Sequence, residues 1–292
     1  MTWTPVTGWD PTATLASWAD RHPGQRMGTR RRLDAELVRR GLARSREQAA
    51  SLVADGRVLV AGQAAGKPAT QVAAEDPILI TETGAEPGYA SRGGRKLAGA
   101  LAAFPGLVVA GRQCLDAGAS TGGFTDALLR AGAAHVTAVD VGYGQLAWAL
   151  RSDERVTVLD RVNVRQLQPG QLSPPPGLVT ADLSFISLTL VLPALADIAR
   201  PDADFVLLVK PQFEVGKGRV GSGGVVRDPA LRAEAVTSVA AAADRLGLGV
   251  AGLAASPLPG PAGNVEYFLW LRRGAPGLDP AELARVIAEG PQ

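Results

Sequence analysis

A glycine-rich turn, two aspartates and a lysine at the ends of apolar runs are the residues best placed to do chemistry. The run Asp116-Ala-Gly-Ala-Ser-Thr-Gly-Gly-Phe124 lies between an apolar stretch and an amphipathic one, the setting of a strand–turn–helix junction. Gly118, Gly122 and Gly123 let backbone approach a ligand where a Cβ would collide, and Asp116, Ser120, Thr121 and Phe124 are the turn's other ligand candidates. Asp140 ends the next apolar run, 22 residues after Gly118, with Val141 beside it. An acid at that place accepts the hydroxyls of a ligand ribose, so the pair indicates a nucleoside-containing ligand. A dinucleotide fingerprint wants G-x-G-x-x-G, which wraps a pyrophosphate at a helix N-terminus. Here the order is Gly-Ala-Ser-Thr-Gly-Gly. S-adenosylmethionine, which carries no phosphate, fits that turn better; a nicotinamide dinucleotide and a turn without a ligand are the alternatives.

Asp182 closes the run Leu178–Asp182, and Lys210 closes Phe205–Lys210. Open α/β sheets bind ligands at the carboxyl ends of their strands, so both residues share an edge with the glycine turn. A lysine ending Phe-Val-Leu-Leu-Val is poorly placed to be an idle surface charge. Burial and neighbouring cations are expected to lower its pKa towards the range of a general base.

The elements that must position these residues follow from periodicity. Between residues 91 and 274 strands and helices alternate. Helices are expected over Arg95–Ala103, Gly123–Ala131, Gln145–Leu150, Ser187–Ala199 and Pro229–Leu246. Strands are expected over Gln113–Asp116, Val136–Asp140, Val156–Leu159, Leu178–Asp182, Phe205–Lys210, Val250–Ser256 and Glu266–Arg272. That alternation predicts an α/β, doubly wound, mainly parallel sheet of the Rossmann-like kind. The last two strands have no helix between them and should pair as an antiparallel hairpin. Residues 275–292 read as a C-terminal helix or tail.

In front of this lies a smaller α+β unit, residues 28–83. Arg31–Arg40 reads as a helix with Leu33 and Leu37 on one face and arginines on the other, ended by Gly41. Ser45 with Gln48 opens a second helix to about Ala54. Short strands are expected at Val58–Val60 and Ile78–Thr81. Residues 84–90 have a linker's composition, and residues 1–27, with Pro5, Pro11 and Pro23, read as a disordered extension. Met27 stands directly before the basic unit and is a candidate natural start.

Charge separates the two parts. The formal net charge of the whole chain is +2, yet Arg26–Val72 alone carries +6 and the remainder −4. Arg31, Arg32, Arg39, Arg44, Arg46 and Arg57 are candidates to neutralise nucleic-acid phosphates. A single cysteine, Cys114, excludes an internal disulfide framework, and the two histidines, His22 and His135, lack metal-ligand spacing. No metal is expected. The chain shows no secretory leader, and its longest apolar stretch, Phe185–Ala199, is too short to span a bilayer. A cytoplasmic protein is expected.

Five motifs occur in order: Arg92-Gly-Gly-Arg-Lys96, Asp116–Phe124, Ala181-Asp-Leu-Ser-Phe-Ile-Ser-Leu188, Lys210-Pro-Gln-Phe-Glu-Val-Gly-Lys217 and Gly263-Asn-Val-Glu-Tyr-Phe268. Together they resemble the TlyA family of ribosomal RNA cytidine 2′-O-methyltransferases, which have an FtsJ-like catalytic domain. Arg31–Glu36 and Gly41-Leu-Ala-Arg-Ser-Arg46 look like that family's S4 RNA-binding domain. The resemblance covers about Met27 to Arg273. It implies S-adenosylmethionine as cofactor, rRNA in ribosomal subunits as partner, and a Lys-Asp-Lys-Glu tetrad on Lys96, Asp182, Lys210 and Glu266. Nothing in the local sequence alone selects Lys96 or Glu266. By the same resemblance, Lys210 orients or deprotonates the acceptor hydroxyl, Asp182 and Glu266 fix the lysines, and Lys96 stabilises developing negative charge. The rival readings are a membrane-lytic protein, since some members carry a haemolysin label, and a non-catalytic ribosome-assembly factor.

Overall fold

A computed structural model describes residues 30–54, 56–80 and 89–290 of the chain. The proposed extension 1–27, the start at Met27 and most of the linker lie outside the described residues. Contacts divide the chain into two compact units, Met1–Glu82 and Thr83–Gln292.

In the first unit β1 (Arg31–Arg32) pairs antiparallel with β4 (Gln71–Val72). Helices α1 (Leu33–Arg39) and α2 (Arg46–Ala54) follow β1. β2 (Val58–Val60) is flanked antiparallel by β3 (Gln63–Ala64) and β5 (Ile78–Ile80). Leu33, Leu37, Ala49, Leu52, Val53, Val58 and Val72 form the core between them. The expected helix from Arg31 therefore starts two residues late, because Arg31 and Arg32 are spent on strand pairing with Gln71 and Val72. Gly41, at φ +70°, takes the left-handed position after α1. Ser45 Oγ accepts from Gln48 N at 3.1 Å, and Gln48 Oε1 accepts from Arg44 N at 2.7 Å, the reciprocal cap that the sequence suggested.

Two acids sit inside this small unit. Glu36 is fully buried and accepts from Arg39 Nε at 2.8 Å and Arg40 Nε at 2.7 Å. Arg40 also donates to the carbonyls of Ala73, Ala74 and Asp76, tying α1 to the segment after β4. Hydrogen bonds from Arg39 and then Arg40 hold the Glu36 carboxyl at about 2, below its ordinary 4.5. Since the folded pKa is depressed, this contribution to stability is present above about 4.5 and is lost as pH falls towards 2.

In the second unit seven strands form one sheet in the order β11-β12-β10-β9-β6-β7-β8 among the described residues. They are β6 (Gln113–Ala117), β7 (His135–Asp140), β8 (Val156–Asp160), β9 (Leu178–Ala181), β10 (Asp204–Val209), β11 (Leu248–Ala255) and β12 (Tyr267–Arg273). The five strands β8-β7-β6-β9-β10 run parallel, while β12 is antiparallel to both neighbours. β10 is buried on both faces, which is why it reads as an unbroken apolar run. Phe205, Leu207 and Val209 pack on one side with α6 (Leu192–Ile198), α8 (Pro229–Asp244) and α9 (Pro280–Glu289). Val206 and Leu208 pack on the other with α3 (Arg92–Ala103), α4 (Gly123–Arg130) and α5 (Trp148–Arg151). Strand order reverses between β6 and β9, opening a crevice at their carboxyl ends.

Three expected helices differ by three or more residues at an end. The one over 187–199 splits into a 3-10 turn at Leu188–Leu190 and α6, because Pro193 has no N–H to donate back along a continuous helix and is accommodated only in a helix's first turn. The one over 145–150 shortens to α5, with Gln145 turned instead towards Ser120. α3 begins earlier than Arg95, at Arg92, with Ser91 Oγ as its cap. Gly93 and Gly94, poor helix formers, hid that start. A Cβ on Gly94 would lie 2.4 Å from the Tyr89 ring, so the first turn accepts no larger residue.

Among the described residues no helix is long and apolar enough to cross a membrane. Replacing Glu36 with Gln should lower protection of the first unit against hydrogen exchange at pH 7. It should also reduce the loss of protection expected of the native chain between about pH 4.5 and 2, leaving the part that Asp34, likewise lowered to about 2, contributes. Exchange mass spectrometry on the whole chain reads both effects, and an unchanged acid profile would contradict the assignment.

Candidate active site

The carboxyl ends of β6, β7, β9 and β10 and the amino end of β12 bring the sequence-nominated residues to one rim. Asp182 follows β9 and Lys210 follows β10. The antiparallel register Val209↔Tyr267, carried one step further, sets Glu266 across from Lys210. Lys96 reaches the same place from α3. Lys96 Nζ donates to Glu266 Oε2 at 2.5 Å, and both side chains are almost wholly buried. Lys210 Nζ stands 2.6 Å from Asp182 Oδ1 and donates to Ser184 Oγ at 3.0 Å. The four residues thus form two lysine–carboxylate ion pairs, each within range of the other's charges.

Burial pushes the Asp182 carboxyl upward, but the charges of Lys210, Lys96 and Arg92 outweigh it and hold the group below its ordinary range. Burial likewise pushes Lys210 downward, and the charges of Asp182 and Glu266 outweigh that, so its pKa is raised. This corrects the expectation of a lowered lysine. The neighbours that matter to Lys210 are the two carboxylates that the family resemblance set beside it, not the cations that the local reading expected. At neutral pH Lys210 is an ammonium ion, fit to donate hydrogen bonds rather than to accept a proton.

The glycine turn lies directly against this pair. Gly118 adopts φ +85°, and a Cβ on it would fall 2.6 Å from the carbonyl oxygen of Asp182. Glycine is therefore required where the turn meets the reaction edge. Gly122, at φ +98°, opens α4, and Gly123 packs against Ser91 and Gly94 of α3. Ser120 is exposed at φ +47° and donates its N–H to Asp140 Oδ2 at 2.8 Å. Gly142 N donates to Asp140 Oδ1 at 2.6 Å. Each Asp140 oxygen keeps a lone pair for a ribose hydroxyl. Val141 is 70% exposed beside it, an apolar surface on which a purine can lie. Thr121 anchors the far side of the turn, its carbonyl accepting from Ala147 N at 3.2 Å.

Two nominated ligand residues face inward. Phe124 is buried and stacks on Phe268 at 6.0 Å between centroids, so its ring packs in the core behind the turn. Asp116 is fully buried, accepts from Thr125 Oγ1 at 2.6 Å with Oδ2, and leaves Oδ1 buried without a partner among the described residues. Desolvation raises its pKa to about 7, with Asp182 and Asp140 adding to the rise and Thr125 opposing it.

Sequence reasoning missed three residues at the site. Arg92 donates to Pro259 O at 2.5 Å, ties α3 to the loop before β12 and helps to depress Asp182. Ser184 holds Lys210. Phe185 is 79% exposed at φ +65°, a strained conformation for an aromatic residue. The segment around it is held on both sides, by Lys210 on Ser184 and by Glu214 of α7 (Pro211–Glu214), which accepts from Ser187 Oγ at 2.5 Å and Leu188 N at 2.9 Å. Phe185 rests edgewise on Phe213, centroids 5.3 Å apart, and otherwise faces solvent beside Asp182 and Lys210. Its position in the third of the five motifs, the first after the glycine turn, was the available signal; backbone strain has no signature in sequence.

In the first unit the nominated arginines differ in their surroundings. Arg32 and Arg46 both bond Asp34, and Arg39 bonds Glu36. Arg31 is exposed on β1, and Arg44 and Arg57 have interactions of their own.

The FtsJ-like methyltransferase family matches residues 89–273, and the S4 domain matches residues 31–78. The chain is 60% identical, over 91% of its length and all of the relative's, to the 16S/23S rRNA (cytidine-2′-O)-methyltransferase TlyA of Mycobacterium tuberculosis. It is 42% identical, over 88% of its length and 93% of the relative's, to YqxC of Bacillus subtilis, whose name describes an rRNA methyltransferase. A solved structure from Streptococcus thermophilus bearing a hemolysin name aligns with TM-score 0.70 and 39% identity over 90% of this chain and 96% of that one.

Asp116 offers a pH test. Its folded pKa is raised from 3.8 to about 7, so its contribution to stability is present at acid pH and lost as pH rises through that interval. Asp116→Asn removes the titration. The variant's melting temperature, compared with the native chain's in the same buffers, should improve steadily from about pH 4 to 7 and then level off. A difference independent of pH would refute the assignment.

Proposed function

We propose, for a chain that belongs to the FtsJ-like methyltransferase family and carries an S4 domain ahead of it, that it transfers a methyl group from S-adenosylmethionine to the ribose 2′-hydroxyl of a cytidine in ribosomal RNA. The observation that carries this reading is the paired tetrad Lys96–Glu266 and Lys210–Asp182 directly against the glycine turn. The named relatives support the acceptor, and assembled ribosomal subunits are the proposed form of the substrate.

The residues of the turn fit the cofactor. Asp140 would take its ribose hydroxyls and Val141 its base, while Gly118, Ser120, Thr121, Gly122 and Gly123 would give close backbone contact. The unpartnered Oδ1 of Asp116 supplies a polar atom at the floor. When bound, the cofactor supplies a methyl group already activated by its sulfonium charge.

What the protein must then add is position and a place for one proton. Lys210, held as an ammonium ion by Asp182, donates a hydrogen bond to the acceptor oxygen and aims its lone pair. The Asp182 carboxylate keeps lone pairs beyond the one that Lys210 uses, and takes the hydroxyl proton as the new C–O bond forms. Glu266 fixes Lys96, whose charge steadies negative charge developing on the acceptor oxygen. Phe185 offers a strained, exposed aromatic face, a platform on which the target base can stack.

Lys210→Ala should lower methylation of isolated subunits by about 10² to 10⁴, with cofactor affinity nearly unchanged. Retained turnover would refute the assignment. Phe185→Ala, at an exposed position, should leave folding intact and weaken RNA-dependent turnover about tenfold, the loss of one base–aromatic stack of ~1–3 kcal/mol. Incubating small and large subunits separately with labelled cofactor, then mapping the methylated ribose, tests the acceptor itself. Label on a base, or none on either subunit, would sink the reading.

A further inference from the structure

We propose that Asp34 is a positioning residue of the RNA grip, holding the guanidinium groups of Arg32 and Arg46 as a preset fork for a single RNA phosphate. The inference rests on the reading of the first unit as RNA-binding and says how its arginines are made ready.

An acid within a basic RNA-binding face ought to weaken it by repulsion. Asp34 is placed otherwise. Its side chain is 7% exposed, while those of Arg32 and Arg46 are 47% and 59% exposed. Arg32 Nε donates to Oδ1 at 3.1 Å and Nη2 to Oδ2 at 2.8 Å. Arg46 Nη2 donates to the same Oδ2 at 3.1 Å. The backbone N–H of Ala35 donates to Oδ1 at 2.7 Å, fixing the carboxylate from below. Two guanidinium groups from different parts of the chain, one entering α1 and one opening α2, therefore converge on one oxygen atom. Arg32 keeps Nη1, and Arg46 keeps Nε and Nη1, without a partner among the described residues.

Two like charges do not stay together in water unaided, and long side chains lose rotational freedom when a ligand gathers them. A buried carboxylate between them removes the repulsion and meets that entropic cost before RNA arrives. Two half-exposed guanidiniums held on one carboxylate, each with N–H groups to spare, suit the charge-assisted, multidentate recognition of a phosphate. Glu36 provides the contrast. It holds Arg39 and Arg40 from a fully buried position, and Arg40 is consumed by three backbone carbonyls, so that cluster ties the unit together.

The test uses the full chain and deproteinised large-subunit ribosomal RNA over a series of salt concentrations. If Asp34 acts only through its charge, Asp34→Asn adds a net positive charge and tightens binding. The fork requires the opposite: binding weaker by about five- to tenfold, KM for RNA raised and kcat unchanged. In an Arg32→Ala/Arg46→Ala background, Asp34→Asn should have little further effect, because both partners through which it acts are gone. That non-additivity is not expected of a residue that merely stabilises the fold. Asn keeps an acceptor for Ala35 N, and melting of the variant checks the fold. If it melts early, Arg46→Lys, which keeps the charge and loses the planar fork, must itself weaken binding. Tighter or unchanged binding by a folded Asp34→Asn overturns the proposal. Should Arg32→Ala and Arg46→Ala also leave affinity unchanged, the RNA-grip reading falls with it; if they weaken binding and Asp34→Asn does not, the fork alone is lost.

Discussion

The arrangement of the catalytic unit depends on keeping four charges out of water in matched pairs. A buried ammonium or carboxylate without a counter-charge costs several kcal/mol, and geometry decides whether pairing repays it. Lys96 with Glu266 and Lys210 with Asp182 meet that requirement only because four separate elements converge. β9 and β10 run parallel and end together, β12 returns antiparallel with Glu266 at its start, and α3 crosses to deliver Lys96. A shift of one residue in the β10–β12 register would turn Glu266 to the opposite face and leave Lys96 uncompensated.

The same convergence sets what each group can do. A lysine buried alone is driven towards neutrality, yet Lys210 is held in its charged form by the anions beside it. Asp116, buried with two other carboxylates in range and no cation paired to it, is driven the other way. Three aspartates within one turn of chain from the same rim thus have separate environments. Asp182 faces lysines, Asp140 faces backbone N–H groups, and Asp116 faces the core. Gly118 is the mechanical link, since its missing Cβ lets the turn rest on the Asp182 carbonyl. Geometry at the glycine turn and geometry at the reaction pair cannot vary independently.

The first unit solves a related problem with fewer residues. Its core is small, and buried acids supplement it by gathering arginines from both helices. Glu36 holds Arg40 against backbone carbonyls and so braces the fold, while it leaves Arg39, as Asp34 leaves Arg32 and Arg46, half in solvent. One kind of interaction therefore serves stability in one place and an exposed cationic surface in another, and what else each arginine bonds makes the difference.

Sequence by itself determined the α/β class, the order of strands and helices, the glycine turn with Asp140, and the placement of Asp182 and Lys210 at strand ends. Local periodicity and turn chemistry suffice for these, because each depends on neighbours in the chain. Lys96 and Glu266 were legible only through family resemblance, as 170 residues separate them and no local pattern marks either. Tertiary structure alone decided the protonation state of Lys210, since its two anionic neighbours come from other elements. It also decided that Phe124 belongs to the core, that Phe185 is strained and exposed, and that Arg31 and Arg32 form a strand. Each of these turns on what lies across space from a residue, and a chain read in one dimension carries no distance to it.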